Sequence, residues 1–134
     1  MVTIKTEASD KTLRGLLCSA LEGGSNYWYM IEREELAAGL TFADFREGGK
    51  MTDPAEYWHP YEIIPFVDGC ALIIGDKEQP GKTFRLDKAA LRKGIEVMAK
   101  KFPRHFADVI NENDDADTGD VFLQCCLFGD IIYG

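Results

Sequence analysis

The sequence predicts an α+β fold, a small antiparallel sheet (a hairpin or meander) packed against several helices. Three observations predict it. Leu13, Leu16, Leu17, Ala20 and Leu21 recur at the spacing of one buried helical stripe. Two short apolar runs, Tyr61–Phe66 and Ala71–Ile74, flank Asp68-Gly69, a dipeptide suited to a hairpin turn with positive φ. The remaining helical segments surround that meander instead of alternating with strands, as parallel βαβ units would. A chain of 134 residues is the size of one domain, 1–134. At that length it buries about two-thirds of its unfolded surface and needs no metal or disulfide staple.

Ser9 or Asp10 can cap the first helix, over 10–22, and Gly23 and Gly24 stop it, because glycine takes the left-handed turn after a helix without a steric penalty. Tyr27 to Ile31 reads as a strand. Glu34 to Ala38 continues as a short helix or turn ending at Gly39, and Thr41 to Thr52 is ambiguous around the loop marker Gly48-Gly49. Pro65 cannot donate to a β-ladder, so the strand Tyr61–Phe66 is placed at an edge or a bulge. Lys77 to Lys82, with Pro80-Gly81, is a turn, and Thr83–Leu86 a third short strand. Asp87 caps a helix over 88–101 with Leu91, Ile95, Met98 and Phe102 inward, and Pro103 ends it or starts the next. His105 to Asn111 is a short helix, and Val121 to Phe128 the last, closed by Gly129.

Hydrophobic residues at 46% and charged residues at 28% are globular values. The net charge of −8 disfavours direct binding to nucleic acid, which runs on an excess of Lys and Arg, and favours a basic partner. Cys18, Cys70, Cys125 and Cys126 show no C-x-x-C and no paired spacing. Met1 to Glu7 lacks the apolar core of a secretory leader, and no apolar run approaches transmembrane length. The expectation is a reduced, cytoplasmic protein without a membrane association.

The chemistry-bearing candidates are few. At the Gly23–Tyr29 corner, Ser25 and Asn26 can hydrogen-bond a small ligand while Tyr27, Trp28 or Tyr29 stacks on its ring. In a strand Tyr27 and Tyr29 would face one side and Trp28 the other, so only one face can be a platform and the other fills the core. Tyr57-Trp58-His59-Pro60-Tyr61 is a second aromatic patch, behind the acidic Asp53-Pro54-Ala55-Glu56, and is read as a pocket wall facing Trp28, a subunit interface, or a loop over the hairpin. Asn111 to Asp120 carries alternating carboxylates, but a calcium loop read from Asn113 would put Thr118 where glycine is needed and Gln124 where the bidentate Glu belongs. The plainer reading is a solvated loop whose last residues cap the final helix. His59 and His105 lack metal spacing, and Cys18 lies mid-helix rather than at a helix N-terminus. No nucleophile elbow or phosphate loop occurs, since Gly24-Ser25-Asn26-Tyr27 lacks the second glycine and Asp76 stands where a phosphate loop begins with glycine. Neither a catalytic set nor a metal or cofactor is therefore expected.

The stretch Glu22-Gly23-Gly24-Ser25-Asn26-Tyr27-Trp28-Tyr29, together with the ending Phe128-Gly129-Asp130-Ile131-Ile132-Tyr133-Gly134, resembles a group of small phage and prophage proteins. Those carry a similar "ALEGG-NYW" segment near the start and "FG-IVYG" at the very end, and the group has no assigned activity. The resemblance implies an accessory protein made during infection, in the host cytoplasm, that blunts host defence as a stoichiometric binder. Two mechanisms fit. One captures a small nucleotide-like signal with Ser25, Asn26, Tyr27, Trp28 and Tyr29 and with Tyr57, Trp58 and His59. The other sets an acidic surface in the nucleic-acid groove of a basic host protein. A small hydrolase or transferase with scattered site residues is the competing class. The apolar ending Phe128-Gly129-Asp130-Ile131-Ile132-Tyr133, which would fray unless docked, predicts a homo-oligomer, a dimer first of all, with docking on the chain's own sheet as the alternative.

Overall fold

A computed structural model describes residues 8–134. The leader reading at Met1 to Glu7 lies outside the described residues. The architecture is α+β, with five α-helices and one three-stranded antiparallel sheet among the described residues. No helix there is long and apolar enough to cross a membrane. Backbone contacts divide the chain into two compact units, one running up to Tyr27 and resuming at Ala90–Gly134, the other Trp28–Ala89.

In the first unit, α1 (Asp10–Ser19) is capped by Ser9, whose hydroxyl accepts from the Thr12 N–H, and it buries Leu13, Leu16 and Leu17 as the spacing predicts. The helix does not stop at the glycines. It widens into a π-helical turn, Ala20–Gly24, closed by the Ser25 N–H donating to the Ala20 carbonyl at 2.9 Å. Neither Gly23 nor Gly24 takes positive φ, so their use is not the left-handed cap that the sequence suggests. Gly24 instead lies against the Ala116 backbone, where a side chain would collide.

The last helix, α5 (Ala116–Phe128), starts five residues earlier than its apolar run, since Val121 is only its sixth residue. Asp115 caps it, accepting from the Thr118 N–H at 3.0 Å and its hydroxyl at 3.1 Å, and these bonds hold the Asp115 carboxyl below its usual range. Thr118 through Cys126 are all buried, so α5 is enclosed on every side and carries polar groups that must find partners inside. It packs on α1, on the π-helical turn and on α4 (Pro103–Ile110). A Cβ on Gly119 would stand 2.7 Å from the Ala20 nitrogen, which is why glycine occupies that crossing. α3 (Lys88–Lys101) buries Leu91, Ile95 and Met98, and Gly94 lets Cys126 approach it. Gly129, at φ 71°, ends α5 in the left-handed conformation, as expected.

The second unit carries the sheet, β1 (Tyr29–Glu35), β2 (Ala71–Asp76) and β3 (Thr83–Leu86), in that order and antiparallel throughout. β2 is central and all six of its residues are buried. β1 pairs Ile31 with Ile74 and then Arg33 with Ile73, leaving Glu32 as a bulge. The strand begins two residues later than predicted, because Tyr27 belongs to a turn and Trp28 lies just before the ladder. Glu34 and Glu35 belong to β1, not to a helix or turn.

The largest departure is at Tyr61–Phe66, which forms no strand. It is helix α2 (Pro60–Ile63) followed by a 3-10 turn, Ile64–Phe66. Pro60 occupies the first helical position, Glu62 accepts from the His59 N–H at 3.0 Å, and the His59 ring accepts from the Tyr61 N–H at 3.4 Å. This reciprocal cap outweighs the strand preference of the apolar run. Asp68-Gly69 does turn, with Gly69 at φ 79°, but it leads from that 3-10 turn into β2. The hairpin is the next one, β2 to β3 through Lys77–Lys82.

Candidate functional site

Of the predicted corner, Ser25, Asn26 and Tyr27 fall in the first unit and Trp28 and Tyr29 in the second. Ser25 is fully buried, turned inward by the π-helical turn, and its hydroxyl donates to Asp120 Oδ1 at 2.7 Å. Tyr27 leaves half of its surface exposed, 51%, while its hydroxyl donates to Asp120 Oδ2 at 2.6 Å. Burial first, then the bond to Asp120 and its charge, raise the Tyr27 phenol well above the ordinary value. It therefore stays a proton donor to Asp120 at neutral pH. Asn26 is exposed, its backbone N–H donating to the Gly23 carbonyl at 3.3 Å. Trp28 is fully buried, so of the two roles open to the aromatics it takes the core one, and no face of it is presented to a ligand.

Asp120 and Gln124 lie one turn apart on α5 and face the same way. The Gln124 amide donates to Asp120 Oδ2 at 3.2 Å and to the Tyr133 carbonyl at 3.1 Å. Its own oxygen accepts from the Ile132 N–H at 2.8 Å and the Tyr133 N–H at 2.9 Å. A buried glutamine thus binds the Ile131–Gly134 tail by its backbone, and the Tyr133 ring meets Phe128 edge-on at 5.9 Å. The tail is docked on its own unit, although Ile132 stays 48% exposed.

Tail docking gives a direct expectation. Truncation after Asp130 should lower stability by about 1–3 kcal/mol, the cost of stranding the buried Gln124 amide. The burial of Ile132 contributes little. In a Gln124→Ala background the same truncation should cost markedly less, read by urea denaturation of all four proteins. Equal truncation costs in both backgrounds would mean that Gln124 does not hold the tail.

A hollow of about 310 Å³ opens beside this network, with Tyr27, Asp117, Asp120, His105 and Tyr133 among its walls and Val121 and Ile131 as apolar lining. A second hollow, of about 300 Å³, belongs to the other unit and is lined by Glu47, Asp53, Glu56, Tyr57 and Trp58 together with Gly48, Gly49, Thr52 and Pro54. Its walls are fixed by their own bonds. Met51 N–H donates to the Asp44 carbonyl at 2.9 Å, the Thr52 hydroxyl to the Gly49 carbonyl at 2.7 Å, and Ala55 N–H to Asp53 Oδ1 at 2.9 Å. The Trp58 indole N–H donates to Glu56 at 3.2 Å, and Tyr57 is 72% exposed. Trp28 and His59 are not among the lining residues. His59 is spent on capping α2, with its ring 5.0 Å from that of Tyr61. Neither hollow has a lysine or arginine in its lining.

The sequence reading set these residues aside, Asp117 and Asp120 as part of a solvated acidic loop, Gln124 as a mismatch to a calcium loop and His105 for lack of metal spacing. Asp120 directly precedes the apolar run and Gln124 stands inside it, where the only signal is that a buried polar residue requires a partner. Burial pushes the Cys125 thiol up to about 12, and pushes Cys126 well above its ordinary value, so both stay protonated at neutral pH. No family model, curated protein or solved structure matches the chain.

Proposed function

We propose that this protein is a phage-type accessory protein that acts stoichiometrically, binding a basic host protein across a surface that would otherwise engage nucleic acid. The observation that carries the reading is the hollow at 47–58, where Glu47, Asp53 and Glu56 surround Tyr57 and Trp58 with no basic side chain between them. Carboxylates beside exposed aromatic faces suit a guanidinium or ammonium group, which gains charge pairing and cation–π attraction together. The net charge of −8 adds long-range attraction toward a basic surface. A nucleotide phosphate would meet three carboxylates there and no countercharge, which weighs against capture of a nucleotide signal.

Titration calorimetry separates the two. An oligoarginine peptide should bind saturably and lose affinity with salt, while mono- and dinucleotides should not bind. The triple variant Glu47→Gln, Asp53→Asn, Glu56→Gln should weaken the peptide by about tenfold, from surface charge pairs of about 0.2–1 kcal/mol each. A control that removes the same charge from exposed positions elsewhere, Glu96→Gln, Glu112→Gln, Asp114→Asn, should change it little. Equal weakening by both triples would reduce the interaction to net charge and sink the assignment, as would saturable nucleotide binding without peptide binding.

A further inference from the structure

We infer that the outer face of α4 is an interaction surface, and that it takes a second copy of this chain, α4 against α4 in antiparallel order. The helix packs on α5, and Val109 is its single buried residue. Pro103, Ala107 and Ile110 are exposed, Ile110 to 64%, and Phe106 is half-buried. Their spacing of three, four and seven residues gathers all of them on one side of the helix. Such a stripe ordinarily faces a core, yet here it faces solvent. A lone exposed apolar residue needs no explanation, but a contiguous stripe marks an interaction surface.

The charges along the rim select the occupant. Arg104 and Asp108 stand one turn apart on the same flank of the stripe. Neither takes part in an ion pair among the described residues. An antiparallel two-fold pairing keeps like flanks together, because its axis runs across both helices. Centred near Phe106, it sets Ile110 of each copy against Pro103 of the other, and Arg104 of each beside Asp108 of the other. Each charge then meets its opposite, and the apolar stripe meets itself. A parallel pairing would bring Arg104 onto Arg104 and Asp108 onto Asp108. A second copy thus carries the complementary charge spacing already, which an unrelated partner would have to supply. One short helical face buries less than the roughly 800 Å² per partner of a stable interface, so the dimer is weak and forms as concentration rises. The net charge of −8 on each copy opposes it at low salt.

Sedimentation equilibrium of the full chain tests the pairing, at about 0.15 M salt, where the Debye length is about 8 Å. None of these residues lines the hollow at 47–58, so the result stands apart from the oligoarginine titration. The average mass should climb from monomer toward dimer between about 10 μM and about 1 mM, as suits a small interface. Ile110→Asp should weaken association by about tenfold with an unchanged melting temperature, since the position is exposed. Arg104→Glu and Asp108→Lys should each weaken it, because each sets like charges opposite one another. The double variant Arg104→Glu, Asp108→Lys should restore it to within about threefold of wild type. A chain that stays monomeric throughout would leave the face to a different protein and overturn the pairing. Wild-type association in Ile110→Asp, or a double variant no better than its weaker parent, would overturn it as well.

Discussion

Trp28→Ala is expected to destabilise the protein by about 3–5 kcal/mol, the usual cost of truncating a large buried ring. The indole is fully buried at the start of β1, and the Trp28 carbonyl accepts from the Lys77 N–H at 2.7 Å beside the β2–β3 turn. Removing the side chain leaves a cavity too large for its neighbours to close by small shifts. The second tryptophan sharpens the test. Trp58 lies partly exposed in the acidic hollow, so Trp58→Ala should cost little stability and should weaken a cationic ligand instead. Urea denaturation followed by circular dichroism measures both variants. A Trp28→Ala protein within about 1 kcal/mol of wild type would place that ring outside the core, contrary to its burial.

The other large effect should come from Asp120. Its carboxylate accepts from Ser25, Tyr27 and Gln124, and hydrogen bonds to a charged group contribute about 1.5–3 kcal/mol each, though not additively. Asp120→Ala is therefore expected to cost about 3 kcal/mol or more, since it strands the buried Ser25 hydroxyl as well as deleting the acceptor. Asp120→Asn keeps one acceptor oxygen but turns a donor amide toward another donor, and should fall between wild type and alanine. Tyr27→Phe removes one donor at a half-exposed position and should be the mildest of the three. If Asp120→Ala melts with the wild type, the carboxylate does not organise the corner.

The sequence discloses periodic elements well and reciprocal ones poorly. Leu91, Ile95 and Met98 mark one face of α3 and Pro80-Gly81 marks a turn, because both signals are local, whereas the hairpin signal at Asp68-Gly69 falls one connection too early. Tyr61–Phe66 misleads, since a short apolar run has no period of its own, and the deciding contact is made by His59 and Glu62 at its edge. The corner is visible through Ser25 and Tyr27, but its organising residue is not. Asp120 lies 95 residues from Ser25 along the chain, and no spacing rule reaches that far. The docking of the tail is expected from its apolar residues, whereas the grip is on its peptide groups, which every sequence shares.

The wide turn at Ala20–Gly24 has a consequence for how this chain can change over time. Such a turn holds one residue more than a regular helical turn, and that extra residue aims Ser25 at Asp120. Loss of any single residue there would remove the five-residue spacing on which the bond from the Ser25 N–H to the Ala20 carbonyl depends. The junction is therefore a spacer of fixed length, open to substitution at exposed Gly23 but not at Gly24, where a side chain would collide with the Ala116 backbone. Insertions and deletions should accumulate elsewhere, for instance in the exposed turn around Gly81.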